Sequence, residues 1–170
     1  MLPLCRDNMA VSPRAIARGR GRGEIVEIAP EEAILRARDA LGLAPSVSGQ
    51  ALRVERLDAP GSAYYLILLA SGGRERHVAL VDAGTGSLDQ DAALTGTTPH
   101  VTVNMEQAIA AAKLSGRVSA RLVWRPSRAS QSPFYPIWEI SSATERRYVD
   151  QQGRLWDALP SAGRGGGRPG

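Results

Sequence analysis

A chain of 170 residues suits one compact domain, or two very small ones sharing a core. Apolar residues at 43% and charged residues at 22% exclude full disorder, no apolar run approaches the roughly 20 residues of a membrane-spanning helix, and a single cysteine, Cys5, excludes an internal disulfide framework or a cysteine-based zinc knuckle. The net charge of +4 sits at the ends: residues 1–23 carry +4 and residues 161–170 carry +2, which leaves a mildly acidic body at −2.

The chain opens with residues 1–23, which contain the alternating run Arg18 to Gly23. Such a segment has too little apolar surface to offset the entropy of ordering, and a disordered tail is expected. Met1 to Cys5 lacks the basic start and the apolar length of an export signal. Ile25 to Ile28 alternates as a short strand. A helix follows from Pro30 to Leu41: proline suits the first helical position, Glu31 and Glu32 complement the positive end of the dipole, and Gly42 is a natural stop. Ala33, Ile34, Ala37, Ala40 and Leu41 form its apolar face. Three strand signals come next, around Ala51 to Val54, Ser62 to Ile67, and Val81 to Leu88. Tyr64 to Ala70 is apolar on both faces, which predicts a central strand covered on both sides.

The second half repeats this order. Val101 to Val103 alternates, and a helix runs from Asn104 to Ser115. Asn104 can cap it, with Gln107 three residues on as in a capping box, and Gly116 follows. Strand signals at Ala120 to Val123, Ser132 to Ile137 and Val149 to Leu155 match the three of the first half. Phe134 to Ile140 contains Pro136, which cannot donate to a ladder; an edge or bulged position is expected there. Residues 161–170 are glycine, arginine and proline with almost nothing to bury, and form a second tail expected to be disordered.

The segment Val81 to Leu88, reading Val-Asp-Ala-Gly-Thr-Gly-Ser-Leu, resembles the ending of the PepSY family, the small module of secreted metallopeptidase propeptides. Glu31, Glu32 and Ala33 are similar to the family's preceding helix. The ending has a physical reason: Asp82 can accept bonds from backbone groups two residues on, and Gly86 can take a positive φ to close a hairpin. The second half departs from the pattern: Val149 to Leu155 is one residue shorter and lacks the threonine. The resemblance implies a helix on an antiparallel sheet, and a binding or inhibitory role towards a peptidase, usually outside the cytoplasm.

Catalytic and metal chemistry find little to work with. His77 reads as a half-exposed strand residue and His100 as a loop residue. Cys5 has no base beside it in the sequence, and the glycines of 19–23 precede a strand instead of joining strand to helix as a phosphate loop does. Glu31 and Glu32 answer to the helix dipole, and Asp89 and Asp91 to a solvated loop. Neither enzyme activity nor any cofactor or metal is expected. The aromatic residues Trp124, Phe134, Tyr135, Trp138, Tyr148 and Trp156 gather in the second half, with Arg121, Arg125, Arg146 and Arg147 near them. Two readings stand: these aromatics fill a core, or they form a sheet face that grips an extended peptide.

The fold expected is α+β, with two α-β-β-β units, each a helix packed on antiparallel sheet, forming one body: a first PepSY-like unit over 24–92 and a second over 98–160, between the two tails. The function expected is a non-enzymatic PepSY-like module that binds, and inhibits or chaperones, a peptidase or another protein or peptide partner. Trp124, Tyr135, Trp138, Arg121 and Arg125 are the candidate partner-binding residues. The alternative is a nucleic-acid-associated protein acting through the Arg/Gly tails; the acidic body itself does not suit nucleic acid.

Overall fold

Local signals set both helices. In the computed structural model, which describes residues 26–96 and 98–161, α1 spans Pro30–Ala40, with Pro30 in its first turn beside Glu31 and Glu32. Ala33 and Ala37 are the residues it buries fully. Helix α2 spans Met105–Ala112 and carries the complete capping box: Gln107 N donates to Asn104 Oδ1 and Asn104 N to Gln107 Oε1, both at 2.9 Å. It ends early, at Lys113, whose φ of 51° is left-handed. The two tails lie outside the described residues, except for Ser161, which forms a β-bridge with Ser127 and so belongs to the body.

The strands are β1 (Ser48–Arg56), β2 (Ala63–Ser71), β3 (Arg74–Asp82), β4 (Leu88–Ala93), β5 (Ser119–Trp124), β6 (Ile137–Ser141), β7 (Arg146–Val149) and β8 (Leu155–Trp156). They form one sheet in the order β4-β3-β2-β1-β5-β6-β7-β8. The α+β class holds, and each half is a helix followed by an antiparallel meander. Each meander has four strands where three were expected, because the turns after Asp82 and Asp150 each separate two strands that the sequence signals had joined. Asp89 and Asp91, expected in a solvated loop, therefore lie on β4. The opening strands do not form: residues 26–28 and 101–103 are not in strands, and Ile25 lies outside the described residues. Ile28 N still donates to Ala83 O at 2.8 Å, so the segment lies against the sheet without joining a ladder.

The halves meet where β1 pairs with β5, and that pairing is parallel, Val54 opposite Leu122 and Arg56 opposite Trp124. The two meanders run outward in opposite directions from this parallel pair, so corresponding strands keep their direction while corresponding faces are exchanged. The two helices accordingly lie on opposite faces. Helix α1 packs with Tyr65, Ile67, Leu69, Ala79 and Val81. Helix α2 packs with Ile140 and Val149, which share a face with Leu122 and so with Val54. On that second face, Val54, Tyr64, Leu66, Leu68, Val78, Leu80, Leu122 and Trp124 make one buried cluster drawn from both halves. Strand β2 is buried on both sides, as its composition predicts.

Pro136 does not place its segment at an edge. Strand β6 starts one residue after it, at Ile137, and is flanked by β5 and β7. The proline's missing donor falls outside the ladder, so nothing prevents an interior position. The edges of the sheet are β4 and β8.

Candidate functional site

The segment Val81 to Leu88 folds as a side-chain-capped turn. Asp82 Oδ1 accepts from Gly84 N at 3.0 Å, Thr85 N at 2.7 Å and Thr85 Oγ1 at 2.9 Å. Gly86 takes a φ of 71°, which a side chain would strain. The backbone N–H of Thr85, more than any other group, holds the Asp82 carboxyl below its ordinary range.

This turn stands at the rim of a cavity of about 230 Å³ on the face away from α1. Four strand ends build it. Arg56 and Trp124 close β1 and β5, Ala63 and Tyr64 open β2, and Asp82 closes β3; Leu80 of β3, Asp89 and Gln90 of β4 and the loop residues Pro126, Gln131 and Pro133 complete the wall. Tyr64 is buried, and its hydroxyl donates to Pro133 O at 2.6 Å, which anchors the loop over the sheet. Burial pushes the Tyr64 hydroxyl up, out of the titrating range, so it serves as a neutral donor. Arg56 lies 5.7 Å from the centre of the Trp124 ring and is held by both oxygens of Asp58, at 3.1 and 2.6 Å. Those bonds lower the Asp58 carboxyl and raise the guanidinium. Trp124 is 8% exposed, and its indole N–H has no acceptor.

The five residues singled out from the sequence do not gather in one place. Trp124 lines the cavity. Trp138 shares its face but lies towards α2; its Nε1 donates to Val103 O at 2.7 Å and its ring packs against both clusters of that face. Tyr135 is exposed and lies 4.8 Å from the His100 ring, centre to centre, while His100 Nε2 is 2.7 Å from Phe134 O. Arg125 donates to Leu159 O and ties the last residues of the body to the sheet.

Arg121 points to the opposite face from Trp124, into a row of alternating charge. Arg53 bonds Glu27 at 2.7 Å and Glu55 at 2.9 Å; Arg121 bonds Glu55, and Glu139 at 2.7 Å; Arg146 reaches Glu139 at 3.7 Å. The Glu139 side chain is 1% exposed, and its Oε2 has no hydrogen-bond partner. The rim of arginines expected around the aromatics is therefore divided between the two faces: Arg121 and Arg146 meet Glu139 on one, and Arg147 donates to Ala112 O of α2 on the other, because the pleat sends alternate residues in opposite directions.

Sequence reading missed Arg56, Tyr64, Asp82 as a cavity residue, Asp89 and Gln90. A faint signal existed at Tyr64, a polar-tipped aromatic in an otherwise wholly apolar strand. Among the described residues, no group of three or more His, Cys, Asp or Glu is placed to hold a metal, and no helix is long and apolar enough to cross a membrane.

No family model matches the sequence, and no curated protein matches it. Among solved structures, a candidate lipoprotein from Clostridium difficile 630 aligns over 77% of this chain and 91% of its own, at 16% identity and a TM-score of 0.34. A likeness of that size carries no inference about fold or function.

Proposed function

We propose that this chain is a non-enzymatic, PepSY-like binding module that takes up a peptide segment of a protein partner, with a peptidase as the partner class that the resemblance implies. The observation that carries the reading is the cavity itself: an open site with both apolar and polar walls, at the ends of four strands. Its walls include two aromatic rings, a guanidinium, two carboxylates and two amide side chains. Aromatic anchors beside polar groups suit the recognition of peptide side chains, because the rings lose little conformational entropy and the polar groups fix orientation. The turn at Asp82, the segment on which the resemblance rests, lies at the rim of the same cavity.

A random peptide library displayed on phage and selected against the full chain tests this reading. The control is Gln90→Trp, an exposed position on β4 where a large ring fills the mouth of the cavity. Enriched peptides are expected to lose at least about tenfold in affinity on Gln90→Trp with an unchanged melting temperature, as truncation of interface anchors does. Failure to enrich any peptide, or equal binding to the two proteins, overturns the proposal.

A further inference from the structure

The charge around the cavity is unbalanced. Among the described residues Arg56 is the only cation in its wall, and Asp58 matches that charge within a two-bond pair. Asp82 and Asp89 remain, and among the described residues neither has a cation within salt-bridge distance. The Asp82 turn engages one carboxylate oxygen, Oδ1, and makes no use of Oδ2. Asp89 is exposed on β4. Two acidic groups thus stand at the mouth of a cavity whose inner wall is Tyr64 and Trp124, and the faces of aromatic rings are themselves attractive to cations.

From this we infer that the ligand group is the basic side chain of a peptide, an arginine or a lysine, with its apolar stem along the rings and its charge between Asp82 and Asp89. The inference rests on the proposed function and adds the chemical class of the ligand. An acidic group is excluded by the same balance: Arg56 is already neutralised, and Asp82 and Asp89 would repel it. A neutral apolar group would leave both carboxylates unmatched. The attraction is at the rim, where water and salt reach it, so it selects between ligands more than it supplies affinity.

The test uses small probes on the full chain, read by amide chemical shifts and tryptophan fluorescence. N-acetyl-arginine amide is compared with N-acetyl-citrulline amide, which has nearly the same shape without the charge, and with N-acetyl-glutamate amide. The arginine probe is expected to give saturable shifts at Tyr64, Leu80 and Gln90, weakened by salt and about threefold by Asp89→Asn, as loss of an exposed charged partner does. The citrulline and glutamate probes are expected to give no saturable shift there. Equal binding of citrulline, tighter binding of glutamate, or no cavity response to arginine overturns the inference. The library selection separates the two claims. Enriched peptides without basic residues that still require an open cavity leave the binding module standing and remove only the basic ligand. A response to the arginine probe with no enriched peptide removes the module and leaves the charge preference.

Discussion

Arg121 and Glu139 are bonded to each other, yet their removal should have opposite consequences. The Glu139 side chain is 1% exposed, whereas that of Arg121 is 45% exposed. Arg121→Met leaves the Glu139 carboxylate in the interior of the sheet face, with Arg146 at 3.7 Å as its remaining cation. Breaking a buried pair from one side costs about 3–5 kcal/mol, and the presence of Arg146 argues for the lower end, about 3 kcal/mol. Glu139→Met removes a carboxylate whose Oε2 is already unsatisfied and leaves Arg121 in water and bonded to Glu55. Exposed pairs are worth about 0–1 kcal/mol, so this substitution should stay within about 1 kcal/mol of the parent protein. The double variant should resemble Glu139→Met, since the buried charge is then absent. At this chain length a kcal/mol moves the melting temperature by about 3–4 °C, so Arg121→Met should melt about 10 °C early. Urea and thermal unfolding of the three variants, checked for coincident transitions by two probes, measure the effect. The reasoning is refuted if Glu139→Met is as destabilising as Arg121→Met, because the cost would then come from losing the pair and not from stranding its buried member.

Trp138→Phe should cost about 1 kcal/mol by losing the bond to Val103 O, and Trp138→Ala about 3 kcal/mol through packing, with peptide binding intact wherever the protein stays folded; lost binding in a variant of normal stability would return Trp138 to the docking surface. Residues 24–92 and 98–160, expressed apart, should each lose cooperative melting, because at roughly 65 residues each buries too little surface and the cluster of Val54, Tyr64, Leu122 and Trp124 is shared between them; two independent cooperative transitions would show that the halves are separate domains. The carboxyls of Glu27, Asp58 and Asp82 are held low by the Arg53 side chain, the Arg56 side chain and the Thr85 backbone N–H respectively. Their contribution is complete above the unfolded-state values and is lost as pH falls through about 4 and below, so urea midpoints should drop over that range, and Asp82→Ala should flatten the drop. An acid limb no shallower in that variant would count against the turn as one of its sources.

Both helices and the turn at Asp82 were legible in the sequence because their signals are short-range. The capping box joins Asn104 to Gln107, proline starts one helix, and Asp82 bonds the next two or three residues, so a window of a few positions contains the whole interaction. The double burial of β2 was legible for a similar reason, since an unbroken apolar run has no solvent face to offer. Pro136 was read correctly as unable to donate, yet its position in the sheet was not, because the strand begins just beyond it. What remained was decided by contacts between residues far apart in the chain. The parallel pairing of β1 with β5, from which the two meanders run outward in opposite directions, exchanges the faces of the two halves and puts the helices on opposite sides. The same pairing brings Arg56 beside Trp124, 68 positions away, and so creates a cavity at the junction. Composition and periodicity determine which residues leave water; only the order and direction of the strands determine which of them meet.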